Sequence, residues 1–510
     1  MILNLFPQRP DHPLADAKEF KRILAELLVE RAENAIDEVS GWYESLMHAR
    51  NFRLDHYFEI FRQLDDVAQP HLRRLARDYL YSPHLSPVEQ QRLWNCSLNY
   101  LRAVAAGYSL CLQRAQQEPK GKGSEAFRLS SPLAFARLQF ALGAQIRWRA
   151  YRYEPVGDDL WRSLGHTYLA ADTAGHAQKP LALYPTQRGL SSTAQHYLQA
   201  VVFFTSSMDS LLPQQIELAD RLIGHFLPGF VFSPECRPDS VYWVDADSAT
   251  GPARLVRQPG ASRPGLRFFS PGTALASLNE LIHIVEGGGE VPTGIDLGGE
   301  HSQQALLPVL RHLRVYWALQ PPQRRHRRHS VQTRMVVLSG FEHCYTVFGG
   351  VIGQLEESGA RQQWIVENVS LGGLRARLEQ AGGDRIRLGT LLCLQAEGGE
   401  NWLLGVTRRL SRLPGERTLV GVQIISRQAH SINLRPRRSG FSAALGLPGI
   451  CLRDGGAPGL LRIILPPGAF NVRESLDFSR DGLPCVLTPV ELEENGGDYQ
   501  IARFRELPSG

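Results

Sequence analysis

Apolar residues recur at three- and four-residue spacing through the first half of this chain, and at every second position through much of the second half. Helices are therefore expected first and strands later. Phe20, Ile23, Leu24, Leu27 and Leu28 define one buried helical face, with Asp16 and Glu19 as a capping pair ahead of it. Further helices are predicted over 32–48, 54–64, 70–80 and 87–115, the last carrying the stripe Leu93, Trp94, Leu98, Leu101, Val104 and Ala105. Residues 116–124 form a polar break that lacks the spacing of a phosphate-cradling loop. Helical periodicity resumes over 125–230, where Trp161, Leu164, Gly165 and Tyr168 match the opening of a tetratricopeptide helix pair. No second copy can be registered, so these residues read as core aromatics in a stack of antiparallel helices, which offers a groove for a protein partner.

The texture changes after 230. Val241–Asp245 and Leu266–Phe269 are short predicted strands around a loop rich in Pro, Gly and Arg, followed by helices near 275–282 and 303–317. Pro321-Pro322 marks a boundary and holds the next segment extended. Strands are then predicted over 331–338, 364–367, 374–378, 390–395, 402–408 and 418–425. About six short strands close most economically into an antiparallel barrel, because closure removes exposed edges. The stretch 345–357 reads as an inserted hairpin or helix. Strand-like runs at Leu460–Leu465 and Tyr499–Phe504 predict a small second β module in 428–510, barrel-like in its turn.

The fold class is thus α+β multidomain: a helical domain (1–230), a mixed extension (231–320), a barrel (321–427) and a β-rich C-terminal domain (428–510). A chain of 510 residues is too long for one core. Seven scattered cysteines without a C-x-x-C argue for reduced thiols, and against a disulfide framework or a zinc knuckle. No signal-like leader and no membrane-length apolar run is legible, so a cytoplasmic location is expected. The formal charge of +5 permits anionic partners without requiring them.

The candidate chemistry lies in two runs. Gln323-Arg324-Arg325-His326-Arg327-Arg328 supplies planar cations that can fork onto guanine or phosphate oxygens and lie on a purine face. Asn368-Val369-Ser370-Leu371-Gly372-Gly373 supplies an amide that can accept from guanine N1–H or N2–H, a hydroxyl, and bare backbone. Read as R-x-x-x-R (Arg324, Arg328) and [D/N]-x-S-x-x-G (Asn368, Ser370, Gly373), and followed by strands, the pair resembles the signature of PilZ domains, bacterial receptors for cyclic di-GMP. The resemblance covers about 320–427, roughly a fifth of the chain. It implies a barrel, cyclic di-GMP as ligand without a further cofactor, and a site made of Arg324, Arg325, Arg328, Asn368, Ser370 and Gly373. It departs from the family in the long stretch between the motifs and in the fully basic filling Arg325-His326-Arg327.

No hydrolase, zincin, Walker or Rossmann signature appears, and Gly382-Gly383-Asp384-Arg385 reads as a turn, so no enzyme activity is expected. His225 and His283 sit in apolar helical contexts and read as core histidines. The expected function is a second-messenger effector that couples dinucleotide binding to a protein-interaction surface on the helices. Two alternatives stay open: the arginine run contacts RNA, DNA or another polyanion, or the barrel is a ligand-free adaptor.

Overall fold

The computed structural model describes residues 10–186, 189–260, 263–320, 326–350, 361–378, 386–413, 417–437, 446–454, 459–480 and 483–508. The chain divides into two compact units. One comprises 1–152 and 156–322; the other comprises 323–510 with Tyr153–Pro155.

The first unit is built on helices α1 (Ala17–Val29), α2 (Ala32–His48), α3 (Leu54–Tyr81), α4 (Pro87–Gln117), α5 (Ser124–Ala150), α6 (Asp158–Thr173), α7 (Thr193–Thr205) and α8 (Pro213–Phe226). Asp16 caps α1 by accepting from the amides of Lys18 and Glu19, whereas the Glu19 carboxylate turns to Arg22 instead of closing a capping box. Ser86 and Glu89 form a full capping box on α4, as Ser192 and Gln195 do on α7.

The helices expected over 54–64 and 70–80 are one helix, α3, which runs through Pro70. A mid-helix proline forfeits one backbone bond, and here the apolar face on both sides of it, from Leu64 and Ala68 to Leu72 and Leu75, is buried without a break. His225 and His283 are corrected as well: both lie on solvent-facing helix surfaces. A histidine that is buried is His196, whose pKa is pushed down to about 4 by desolvation. Trp161, Leu164 and Tyr168 on α6 are core residues. Gly165 leaves room for the Ala246 carbonyl, which a Cβ there would meet at 2.0 Å.

A polar cluster fastens the middle of this unit. Asp65, fully buried, accepts from Tyr100 Oη (2.7 Å), Tyr108 Oη (2.8 Å) and Gln69 Nε2 (2.7 Å). Arg137, 1 % exposed, donates to Asp66 (2.6 Å), Asp65 (3.3 Å) and the Leu183 carbonyl (3.0 Å), and lies over the Tyr184 ring at 4.5 Å. Such a cation is tolerable inside only because partners replace its water.

The unit continues with strands β1 (Val231–Ser233), β2 (Tyr242–Asp245), β3 (Ala253–Arg254) and β4 (Leu266–Ser270), ordered β1-β4-β2-β3, then helices α9 (Ala274–Glu286) and α10 (Gln303–Trp317).

The second unit holds two closed barrels. The first is made of β5 (His329–Ser339), β6 (Gln362–Ser370), β7 (Gly373–Leu378), β8 (Leu391–Ala396), β9 (Trp402–Leu413) and β10 (Arg417–Ser426), in the order β10-β7-β6-β5-β8-β9. Its interior is filled by alternate residues such as Trp364, Val366, Ala376, Leu392, Leu394 and Val420. Among the described residues between its first two strands lies helix α11 (Phe341–Phe348), which starts ahead of the stretch read as inserted; 351–360 lies outside the described residues.

The second barrel is made of β11 (Ala429–Pro436), β12 (Leu447–Leu452), β13 (Leu460–Leu465), β14 (Leu476–Arg480), β15 (Leu483–Asn495) and β16 (Gln500–Pro508). Its order is β11-β12-β13-β16-β15-β14. One apolar cluster joins the two barrels through α11: Phe341, Cys344 and Val347 pack with Leu391, Leu404 and Val406 of the first and Ile450, Ile464, Tyr499 and Ile501 of the second. Around it, Arg408 forks onto Glu494 (2.6 and 2.7 Å), and Asp498 accepts from the Leu391 amide at 2.9 Å.

Candidate functional site

The candidate residues converge on one end of the first barrel because of strand register. His329 pairs with Val369 and Ser330 with Asn368, so the residue leading into β5, Arg328, lies beside the end of β6. Strand β6 turns into β7 through Leu371-Gly372, with Ser370 paired to Gly373 and the Ser370 hydroxyl donating to the Gly373 carbonyl at 3.0 Å. A two-residue connection of this kind makes a tight hairpin. His326 flanks it: a Cβ on Gly372 would lie 3.4 Å from the His326 ring.

Gly373 is required by β10, since a Cβ there would meet the Val422 carbonyl at 2.2 Å. The outer surface beyond it is correspondingly bare. Asn368, Arg375, Gly421 and Arg409 form a row across β6, β7, β10 and β9, and Gly421 interrupts the side chains in the middle of that row.

An open depression of about 200 Å³ lies on this surface, lined by Arg328, Ser370, Gly373, Arg408, Arg409 and Gly421 among others. Arg328 is thereby brought together with Ser370 and Gly373, expected from sequence and more than 40 positions further along the chain. Asn368 lies on the adjoining register position; its Oδ1 is buried and accepts no hydrogen bond among the described residues. An unmatched acceptor of this kind costs about 1–3 kcal/mol. Arg324 and Arg325 lie outside the described residues.

Arg408, Arg409, Gly421 and Gln423 were not singled out by sequence. Arg408 is committed to Gln423 (2.8 Å) and Glu494, so it sets the shape of the rim more than its charge. Glu367 likewise holds Arg375 at 2.8 Å and approaches Arg377 at 3.7 Å. Only alternation along β9 and β10 hinted at any of these positions, and alternation does not say which strands become neighbours. Among the described residues no group of three or more His, Cys, Asp or Glu side chains is placed to hold a metal ion. No helix among them is long and apolar enough to cross a membrane.

Residues 18–235 match the family described as cyclic-di-GMP receptor FimW, N-terminal domain. The match supports a family of cyclic-di-GMP receptors and, apart from Tyr153–Pro155, lies in the first unit, so it is independent of the barrel motifs. No curated protein matches the chain.

Proposed function

We propose that this chain is a bacterial, cytoplasmic cyclic di-GMP receptor whose ligand sits on the outer face of the first barrel, a PilZ-like module. The observation that carries the reading is the meeting of Arg328 with Ser370 and Gly373 around one depression, next to the unmatched acceptor of Asn368. The similarity of 18–235 to the N-terminal domain of a cyclic-di-GMP receptor supports it from a different part of the chain.

In this reading Arg324, Arg325 and Arg328 grip guanine and phosphate oxygens with forked N–H pairs. Asn368 accepts from the guanine N1–H/N2–H edge, and the Ser370 hydroxyl exchanges its bond to the Gly373 carbonyl for one to a phosphate oxygen. Gly373 and Gly421 keep the surface flat enough for a planar base to approach. Chemistry is limited to binding, and no cofactor is involved. Dinucleotide binding shifts the population of a protein-interaction surface on the helical region, by no more than the ligand's differential affinity for the two states.

Titration calorimetry of the full chain with cyclic di-GMP, GTP and cyclic di-AMP tests this. Saturable, guanine-selective binding that weakens at least about a hundredfold in Arg324→Ala/Arg328→Ala is expected, an arginine clamp being worth several charge-assisted hydrogen bonds. Absence of binding by the folded wild type overturns the reading. Salt-steep, base-indifferent binding of RNA or DNA would then favour a polyanion surface.

A further inference from the structure

Numbered within each barrel, the strands of both follow one cyclic order: first, second, third, sixth, fifth, fourth. All pairings are antiparallel in both. The second barrel is therefore a topological repeat of the first. Under that correspondence Arg427-Gln428, leading into β11, stands where Arg327-Arg328 leads into β5. The turn after β12, which begins Arg453-Asp454, stands where Ser370–Gly373 closes the first barrel's hairpin.

The two equivalent corners are used differently. In the second barrel Asp454 accepts from the Arg427 amide at 2.8 Å and, in a very short bond, from the Ser426 hydroxyl. The corner is thus filled by the chain's own groups, and its carboxylate opposes any phosphate. The Arg427 side chain points the other way: its Nη2 donates to the Leu371 carbonyl at 2.9 Å. Leu371 is the apex of the Ser370–Gly373 hairpin, and its side chain is 63 % exposed. The neighbouring carbonyl of that apex, on Gly372, is bound by the Ile424 amide at 3.1 Å.

We propose that Arg427 is a positioning residue for the dinucleotide site: anchored by Asp454 on the second barrel, it holds the apex of the first barrel's ligand hairpin. The second barrel serves as the brace for that site and takes no dinucleotide itself. This rests on the cyclic di-GMP reading for the identity of the ligand, but the holding of the hairpin stands or falls without it.

Hydrogen exchange over 369–374 and calorimetry with cyclic di-GMP, on full-length wild type, Arg427→Ala, Arg427→Lys and Asp454→Ala, test the proposal. Faster exchange in Arg427→Ala and about tenfold weaker cyclic di-GMP binding are expected, with an unchanged unfolding midpoint because Arg427 is exposed. Arg427→Lys, which keeps one donor, should fall between wild type and alanine. Asp454→Ala should shift exchange the same way by less. Unchanged exchange in Arg427→Ala overturns the proposal whether or not the wild type binds a dinucleotide. Saturable cyclic di-GMP binding left over in Arg324→Ala/Arg328→Ala and lost in Asp454→Ala would assign a site to the second barrel and overturn the brace. A wild type that binds no dinucleotide removes the proposed function alone.

Discussion

The two barrels have one topology and two different corners. At one, a hairpin of Ser, Leu and two Gly and the neighbouring Arg328 line an open depression; at the other, an aspartate is tied to backbone and hydroxyl of the incoming strand. A shared strand order therefore says little about ligand binding, which depends on a handful of side chains at one end of the sheet. What the order does supply is a place where such side chains meet, because the first and second strands and the turn after the second are neighbours in both.

The largest effect should come from treating the barrels as separate, which their common core contradicts. Leu404→Ala, at a site with no exposure in the cluster that α11 shares between the barrels, is expected to cost about 2–5 kcal/mol. Chemical denaturation followed by probes in each barrel should show both transitions moving together; movement of the first alone would separate them.

Gly373→Ala sharpens the contrast between corners. Its Cβ would meet the Val422 carbonyl at 2.2 Å, and about 1–3 kcal/mol of stability should be lost. The second barrel begins its third strand with Leu460, so Leu460→Ala should cost less in the same denaturation assay.

Arg328→Ala alone should weaken cyclic di-GMP binding about tenfold without moving the unfolding midpoint. Equal weakening by Arg453→Ala, at the corresponding corner of the second barrel, would erase the distinction between them.

The smallest effect is a pH dependence at the joint. Burial raises the Glu494 pKa, but the forked bond and charge of Arg408 outweigh it and hold the carboxyl below its ordinary value of 4.5. A lowered folded pKa gives stability that is fully present above that ordinary value and lost as pH falls through the lowered one. Asp498 acts in the opposite sense, because burial raises its pKa. Glu494→Gln should therefore cost about 1 kcal/mol near neutral pH and little in acid, seen as converging unfolding midpoints below pH 4.5.

Much of the fold was legible because periodicity is local. Phe20, Ile23 and Leu27, though not Leu28 of the same expected face, which is exposed, and the alternation of Leu374, Ala376 and Leu378 each report one buried face of one element. The same locality misled at Pro70, read as a helix boundary, and at His225 and His283, whose apolar neighbours in sequence lie on the opposite side of their helices. Arg137 gave no signal at all, since a buried arginine is recognisable only from the partners that surround it, here Asp65, Asp66 and Tyr184.

By itself the sequence determined most of the elements, the switch from helix to strand, and the hydrogen-bonding groups that a guanine dinucleotide would need. Only the tertiary structure decided which strands are neighbours, and so that Arg408, Arg409 and Gly421 share a surface with Arg328 and Ser370. It also decided that Arg427 reaches the hairpin apex. Pairing in a closed barrel joins residues far apart in the chain, and the free energy that selects the register lies in the whole buried face, not in the few residues at its rim.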